Sequence, residues 1–178
     1  VDASIAAIIG TGVGAIGGLG GGVVSVLGQA RSQRSQHAND RTRWRDEMRR
    51  AAYQDLITTT KALARELWRA SDHLLDPEST PADWQSQYRE VHEAWTHFSA
   101  ATAAVTIAGP GHAADAAEDL RTAMREWEMI VTEWTKAAVG SGTGENAPLQ
   151  ERFTVAAKAK RGPDKAFQHA ARYALATE

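Results

Sequence analysis

Hydrophobic and polar positions divide the chain into two unlike stretches. From Ala3 to Gln29 no side chain is ionisable, and Ile5, Ile8, Ile9, Val13, Ile16, Leu19, Val23, Val24, Val26 and Leu27 supply the apolar bulk. As a helix this run reaches about 40 Å, enough to cross a hydrocarbon core of about 30 Å with some tilt. Further on, apolar residues recur in steps of three and four. One seam is Tyr53, Leu56, Thr60, Leu63, Leu67, Ala70 and Leu74; a second is Trp84, Tyr88, Val91, Trp95, Phe98, Thr102 and Val105; a third is Ala116, Leu120, Ala123, Trp127, Ile130, Trp134 and Ala137. That spacing lays each set along one face of a helix. No segment shows the alternation of period two that marks a strand.

Local signals bound these helices. Asp76-Pro77 ends the first, which runs from about Gln29. Thr80 is placed as an N-cap, with Pro81 at the first helical position and Asp83 in the first turn, so a second helix starts there. Gly109-Pro110-Gly111 stops it. The third spans about Ala113 to Val139. Two short connections make neighbouring helices antiparallel. The expected fold is therefore all-α: an N-terminal glycine-rich transmembrane helix continuing into an up-down-up three-helix bundle, with a short helical C-terminal tail. The pieces are a span over 3–29, a basic membrane-proximal helix over 30–50, the bundle over 51–139, a flexible linker over 140–148, and a tail over 149–178. Within the tail, Phe153 with Ala156 and Ala157, then Phe167, Ala171 and Leu175 (or Ala170 and Ala174), mark two short helices separated by Arg161-Gly162-Pro163. The tail is free to dock on the bundle or on a neighbouring subunit.

Glycine changes the reading of the first stretch. Nine of the fifteen glycines lie in residues 1–28, and each costs a lone helix about 1 kcal/mol against alanine. In a bilayer the same residues let backbones approach closely. Ala3, Ala7, Gly10, Gly14, Gly17, Gly21, Ser25 and Gly28 follow one another mostly at steps of three and four, forming a narrow seam of small residues. Gly12, Gly18, Gly20 and Gly22 place further small sites off it. A helix with small residues on two sides accommodates two close neighbours, as a ring of helices needs. The stretch resembles in composition the glycine-rich inner helices of rotary ATPase c-rings, but it contains no carboxylate, so proton carriage is not implied. Gly12 to Gly17 also reads G-x-G-x-x-G, the dinucleotide fingerprint of a strand-turn-helix unit. The context argues against that: no second strand ending in an acid follows, and glycine continues through Gly22. A cleaved leader fits poorly as well, because the extreme N-terminus carries Asp2 and the apolar run exceeds the usual 7–15 residues.

Charge orients the span. The chain has 178 residues and a net charge of −2, and its mean hydropathy of −0.41 conceals the uncharged segment. Residues 30–50 hold Arg31, Arg34, Arg41, Arg43, Arg45, Arg49 and Arg50 against Asp40, Asp46 and Glu47, whereas the other flank has only Asp2. The positive-inside rule then puts the N-terminus outside and the C-terminal domain in the cytoplasm of a single-pass cell-membrane protein. The seven arginines form a basic collar for membrane lipids, anionic headgroups included, worth about 1 kcal/mol per residue near the surface. Nucleic-acid binding is not favoured, because no aromatic pattern interleaves the run beyond Trp44.

Candidate chemistry is sparse. With no cysteine there is no disulfide framework and no thiolate metal site. His37, His73, His92, His97, His112 and His169 make no H-x3-H or H-E-x-x-H pattern. No P-loop or nucleophile elbow is present, so no catalytic residue, cofactor site or metal site is assigned and the chain is not expected to be an enzyme. Glu126, Glu128 and Glu133 are placed on a solvated helix face, and the tryptophan stripe is read as core packing instead of a ligand wall.

Trp44-Arg45, then Arg49-Arg50 and Tyr53, following an Arg/Gln-rich stretch and a Gly/Ala-rich apolar N-terminus, resemble a group of uncharacterised actinobacterial single-pass membrane proteins. The resemblance covers about residues 3–60 and implies topology, not activity. The expected function is a homo-oligomeric membrane protein: glycine-packed spans form a ring or pore-like assembly braced by cytoplasmic bundles, so the chain's main partner is itself. Two alternatives stand beside it. One is a soluble or peripheral interaction module whose glycine-rich arm inserts into a larger assembly with another protein. The other is a phage-type lysis or immunity effector of the membrane.

Overall fold

The computed structural model describes residues 42–177. The expected span 3–29, its small-residue seam and the first part of the basic stretch lie outside the described residues. Asp46–Glu178 form one compact unit, and the packing below is that unit's. It is all-helical, with no strand among the described residues: α1 (42–75), α2 (Pro81–Ala108), α3 (Gly111–Ser141), α4 (Ala147–Ala159) and α5 (Arg161–Thr177).

Side-chain chemistry sets the helix ends. Asp76-Pro77 follows the last turn of α1. Thr80 caps α2 in a reciprocal box: its Oγ1 accepts from the Asp83 backbone N–H, and the Asp83 carboxylate accepts from the Thr80 backbone N–H at 2.9 Å. The Thr80 hydroxyl also donates to the Asp83 carboxylate at 2.6 Å, and this bond first, with that from the Thr80 backbone N–H, holds the Asp83 carboxyl below its ordinary value. Gly109 ends α2, its N–H closing on the Val105 carbonyl at 2.8 Å. Asn146 caps α4 through the Leu149 N–H. Pro163 lies in the first turn of α5, where its missing N–H breaks what would otherwise run on from α4.

Paired residues fix the directions. Trp84 Nε1 donates to the His73 carbonyl at 2.9 Å near one end of α1 and α2, and Arg49 Nε donates to the Ala108 carbonyl at 2.9 Å near the other; the two helices are antiparallel. Tyr88 lies opposite Thr132, and Trp95 opposite Arg125, so α3 runs back along α2. Glu133 pairs with Arg152 at 2.8 Å, and the His112 and Tyr173 rings meet at 5.4 Å, so α4 and α5 together retrace α3.

The tail thus docks within its own chain. Phe153 packs edge-on to Trp68 and against Trp127 and Trp134, and Phe167 packs edge-on to Tyr53. Both phenyl rings are buried, each contributing roughly 2 kcal/mol of apolar transfer. Of the two docking places the sequence leaves open, the tail takes the bundle of its own chain: α4 and α5 supply a broken fourth wall against α1 and α3.

The first seam is buried throughout, from Tyr53 to Leu74. In the second, Tyr88 and Trp95 are half-buried and the rest buried. The third is only one of two faces. Ala137 is exposed and Ala116 and Ala123 half-buried, whereas Ala113, Ala117, Met124, Val131 and Ala138 are buried. α3 is covered by α2 on one side and by α4 and α5 on another, and a single stripe cannot describe it.

Candidate functional site

Of the residues expected to form the small-residue seam, Ala3, Ala7, Gly10, Gly14, Gly17, Gly21, Ser25 and Gly28 all lie outside the described residues, as do Arg31, Arg34 and Arg41 of the collar. Arg43, Arg45 and Arg50 are exposed. Arg49 is not displayed with them. It is 8% exposed, and its Nε is bound to the Ala108 carbonyl. The W-R…R-R…Y stretch therefore divides by helix face. Trp44, Arg45 and Arg50 point to solvent, while Arg49 and Tyr53, one turn apart, point into the bundle.

Among the acids, Glu126 and Glu133 are exposed as expected, but Glu128 is not. Its side chain is 4% exposed and pairs with Arg125 Nη1 at 2.8 Å. Thr132 Oγ1 donates to the other carboxylate oxygen at 3.1 Å, and the Arg125 guanidinium lies 5.1 Å from the centre of the Trp95 ring. Helical spacing puts Glu128 between the exposed face and the second buried face of α3, and the neighbouring α2 closes over it. Glu66 of α1 is buried in a comparable way, bonded by Arg65 at 2.9 Å, Arg69 at 3.3 Å and Gln87 of α2 at 3.3 Å. Burial acts to raise its pKa and is the largest single influence. The hydrogen bonds from Arg65 and Gln87, with the charge and hydrogen bond of Arg69, together outweigh it and hold the carboxyl below its ordinary value. Both acids are structural in geometry: each carboxylate is held by basic and polar neighbours, Glu66 at the edge of a groove it shares with Glu90 and Glu93.

Among the described residues no cluster of His and acidic side chains is placed to hold a metal ion. His92 and His97 are both exposed, and His97 has Glu93 at 3.9 Å.

The arrangement with most chemical content lies where α4 gives way to α5. A cavity of about 220 Å³ is lined by Ala64 and Trp68 of α1, Trp127 of α3, Thr154, Ala157 and Lys158 of α4, and Lys160 and Arg161 at the break. Three cations thus surround an aromatic wall. Lys160 is anchored by Asp164 at 3.1 Å, whereas Lys158 and Arg161 have no ion-pair partner among the described residues. Trp127 differs from the other buried indoles. Trp84 Nε1 reaches the His73 carbonyl and Trp134 Nε1 reaches the Gly144 carbonyl at 2.8 Å. Trp127 Nε1 is buried with no acceptor among the described residues, an omission worth about 1–3 kcal/mol. Neither Trp68, Lys158, Lys160 nor Arg161 stands out in the sequence as a group. The helix break at Pro163 and the return of the tail to α1 bring them together.

No protein-family model matches the chain, and no curated protein or solved structure matches it either.

Proposed function

We propose that the protein is a homo-oligomer of the cell membrane, held together by close packing of the span 3–29 and braced by its helical bundles on the cytoplasmic side. The observation that carries this reading is the run of 27 residues without an ionisable side chain, in which small residues recur from Ala3 to Gly28 at helical spacing. None of the described helices is long and apolar enough to cross a membrane. The core of the bundle is built within one chain from residues of α1 to α5, which suits a head attached to such a span. Exposed Arg43, Arg45 and Arg50 are available to anionic headgroups, and the likeness to actinobacterial single-pass proteins proposes the same topology.

The mass of the full-length protein in nanodiscs tests this. A multimer that Gly14→Leu and Gly21→Leu dissociate is expected; a particle containing one copy of the chain overturns it. Conductance across a planar bilayer separates a pore from a purely structural ring.

A second reading, a peripheral interaction module, draws on large apolar side chains left on the bundle surface, Ile107 at 86% exposure foremost, with Met129, Val155 and Tyr173 also exposed. Release by alkaline carbonate extraction would favour it over the first.

A further inference from the structure

We propose that the cavity at the α4–α5 junction is a binding site for a small aromatic anion, with the ligand ring against Trp68 and Trp127 and its carboxylate or phosphate held by Lys158 and Arg161. The inference does not depend on the membrane assembly, because every residue it uses belongs to one bundle.

Shape and size come first. A cavity of about 220 Å³ lies just below the range typical of drug-sized ligands and suits a single ring with one anionic group. Its aromatic wall is rigid. Trp68 meets Trp127 edge-on at 6.0 Å and Phe153 edge-on at 5.0 Å, yet Trp68 remains 47% exposed. A large aromatic side chain pinned by its neighbours but left partly open is pre-organised to stack on an incoming ring, at little cost in side-chain entropy.

Charge selects the ligand's other end. Lys160 and Asp164 largely neutralise each other, the lysine side chain being 16% exposed. Lys158 and Arg161 flank the same opening as exposed cations without acidic partners among the described residues. Their net field favours an anion, and the guanidinium can grip a carboxylate or phosphate through two parallel hydrogen bonds. Trp127 closes the inner side of the cavity with its buried ring, so a ligand ring stacked on Trp68 would also lie beside Trp127. A metal cation is disfavoured by Lys158 and Arg161, and a neutral ligand would leave both cations unused.

Calorimetry on the full-length protein in nanodiscs tests the site with four probes: phenyl phosphate, benzoate, inorganic phosphate and benzyl alcohol. Phenyl phosphate or benzoate is expected to bind with a Kd of about 1 mM or below, at least about tenfold more tightly than either inorganic phosphate or benzyl alcohol. Which of the two binds better identifies the anionic group. The surface double variant Lys158→Gln/Arg161→Gln leaves the core intact and should weaken binding about tenfold or more, the size of effect that charged hydrogen bonds command. In 5-fluorotryptophan-labelled protein, the resonance assigned to Trp127 by its loss in Trp127→Phe should shift on saturation. Absence of binding by both aryl anions overturns the proposal, as does equal binding of benzyl alcohol, unchanged affinity in the double variant, or a Trp127 resonance that stays in place.

Discussion

Gly144 sits directly against the end of α1: a methyl group built on it would run into the backbone carbonyl of Leu74. On its other side the Gly144 carbonyl accepts from the Trp134 indole. The glycine-rich segment after α3 is thus a fitted joint between the neighbouring C-terminal ends of α1 and α3, and its composition reads differently position by position. Gly140 is helical with open space around its α-carbon. Gly142 caps α3 in the left-handed region at φ 74°.

Three neighbouring glycines should therefore respond differently to the same change. Gly144→Ala forces a backbone shift and is expected to cost about 3 kcal/mol or more. Gly142→Ala strains the left-handed cap, at about 1–2 kcal/mol. Gly140→Ala meets nothing and should stabilise by about 0.5–1 kcal/mol. Denaturant unfolding of the full chain in mild detergent, followed by tryptophan fluorescence, ranks them. A flexible spacer would give three similar and small effects.

Arg49 makes the corresponding joint at the opposite end, where its Nε satisfies one of the last carbonyls of α2 at Ala108. Replacing it with Met keeps the apolar stem and removes the donor. The expected loss is about 1.5–3 kcal/mol, the range for a hydrogen bond to a charged group, whereas Arg50→Met on the exposed face should change stability by less than about 0.5 kcal/mol. Equal effects of the two substitutions would put Arg49 back on the surface with the rest of the collar.

These joints show which features a linear pattern can carry. The seam from Tyr53 to Leu74 was readable because α1 buries one face, and a single stripe at three-four spacing describes one face completely. The start of α2 was readable because Thr80 as N-cap, Pro81 at the first helical position and Asp83 in the first turn form a local code spanning four residues. The second face of α3 was not, since Ala113, Ala117, Met124, Val131 and Ala138 lie beside the stripe of Trp127 and Trp134 on which Phe153 packs, and one stripe does not show a helix covered on two sides by α2 and by the returning α4 and α5. Their return is decided by Phe153 and Phe167 finding Trp68, Trp127 and Tyr53, a long-range event that linker composition does not encode. Glu128 looked solvated for the same reason: a carboxylate reads as polar until a neighbouring helix covers it. The cationic cavity was hidden furthest, because Lys158, Lys160 and Arg161 straddle a helix break and acquire an aromatic wall from two distant helices.

Glu128 and Arg125 form a pair of unequal exposure, 4% against 47% for their side chains, and their energies should not add. Arg125→Met leaves a nearly buried carboxylate with only Thr132 as partner and is expected to cost about 2 kcal/mol, below the usual figure for a fully buried pair because the cation is half in water. Glu128→Gln keeps an acceptor for Thr132 and removes the charge that needs compensation. In the double variant the loss should fall short of the sum by about 1 kcal/mol or more. A double-mutant cycle on unfolding free energies measures that shortfall, and strict additivity would mean the contact contributes nothing.

Glu66 should leave a signature in acid. Its carboxyl is held below the ordinary value of 4.5 by Arg65, Gln87 and Arg69, against the opposing effect of burial. A carboxyl depressed in the folded state binds fewer protons there than in the unfolded chain, so its contribution is complete above the unfolded pKa and is lost as pH falls through the folded one. Stability of the bundle should accordingly decline with acidification below about pH 4.5. Glu66→Gln cannot titrate, and it should be less stable than the parent at about pH 7 while losing less on going to about pH 3. The two urea-midpoint profiles are expected to converge toward low pH, the gap staying modest because Arg65 and Arg69 are themselves largely exposed. Parallel profiles across the whole range would show that the Glu66 network is no more favourable to the ionised carboxylate than water is.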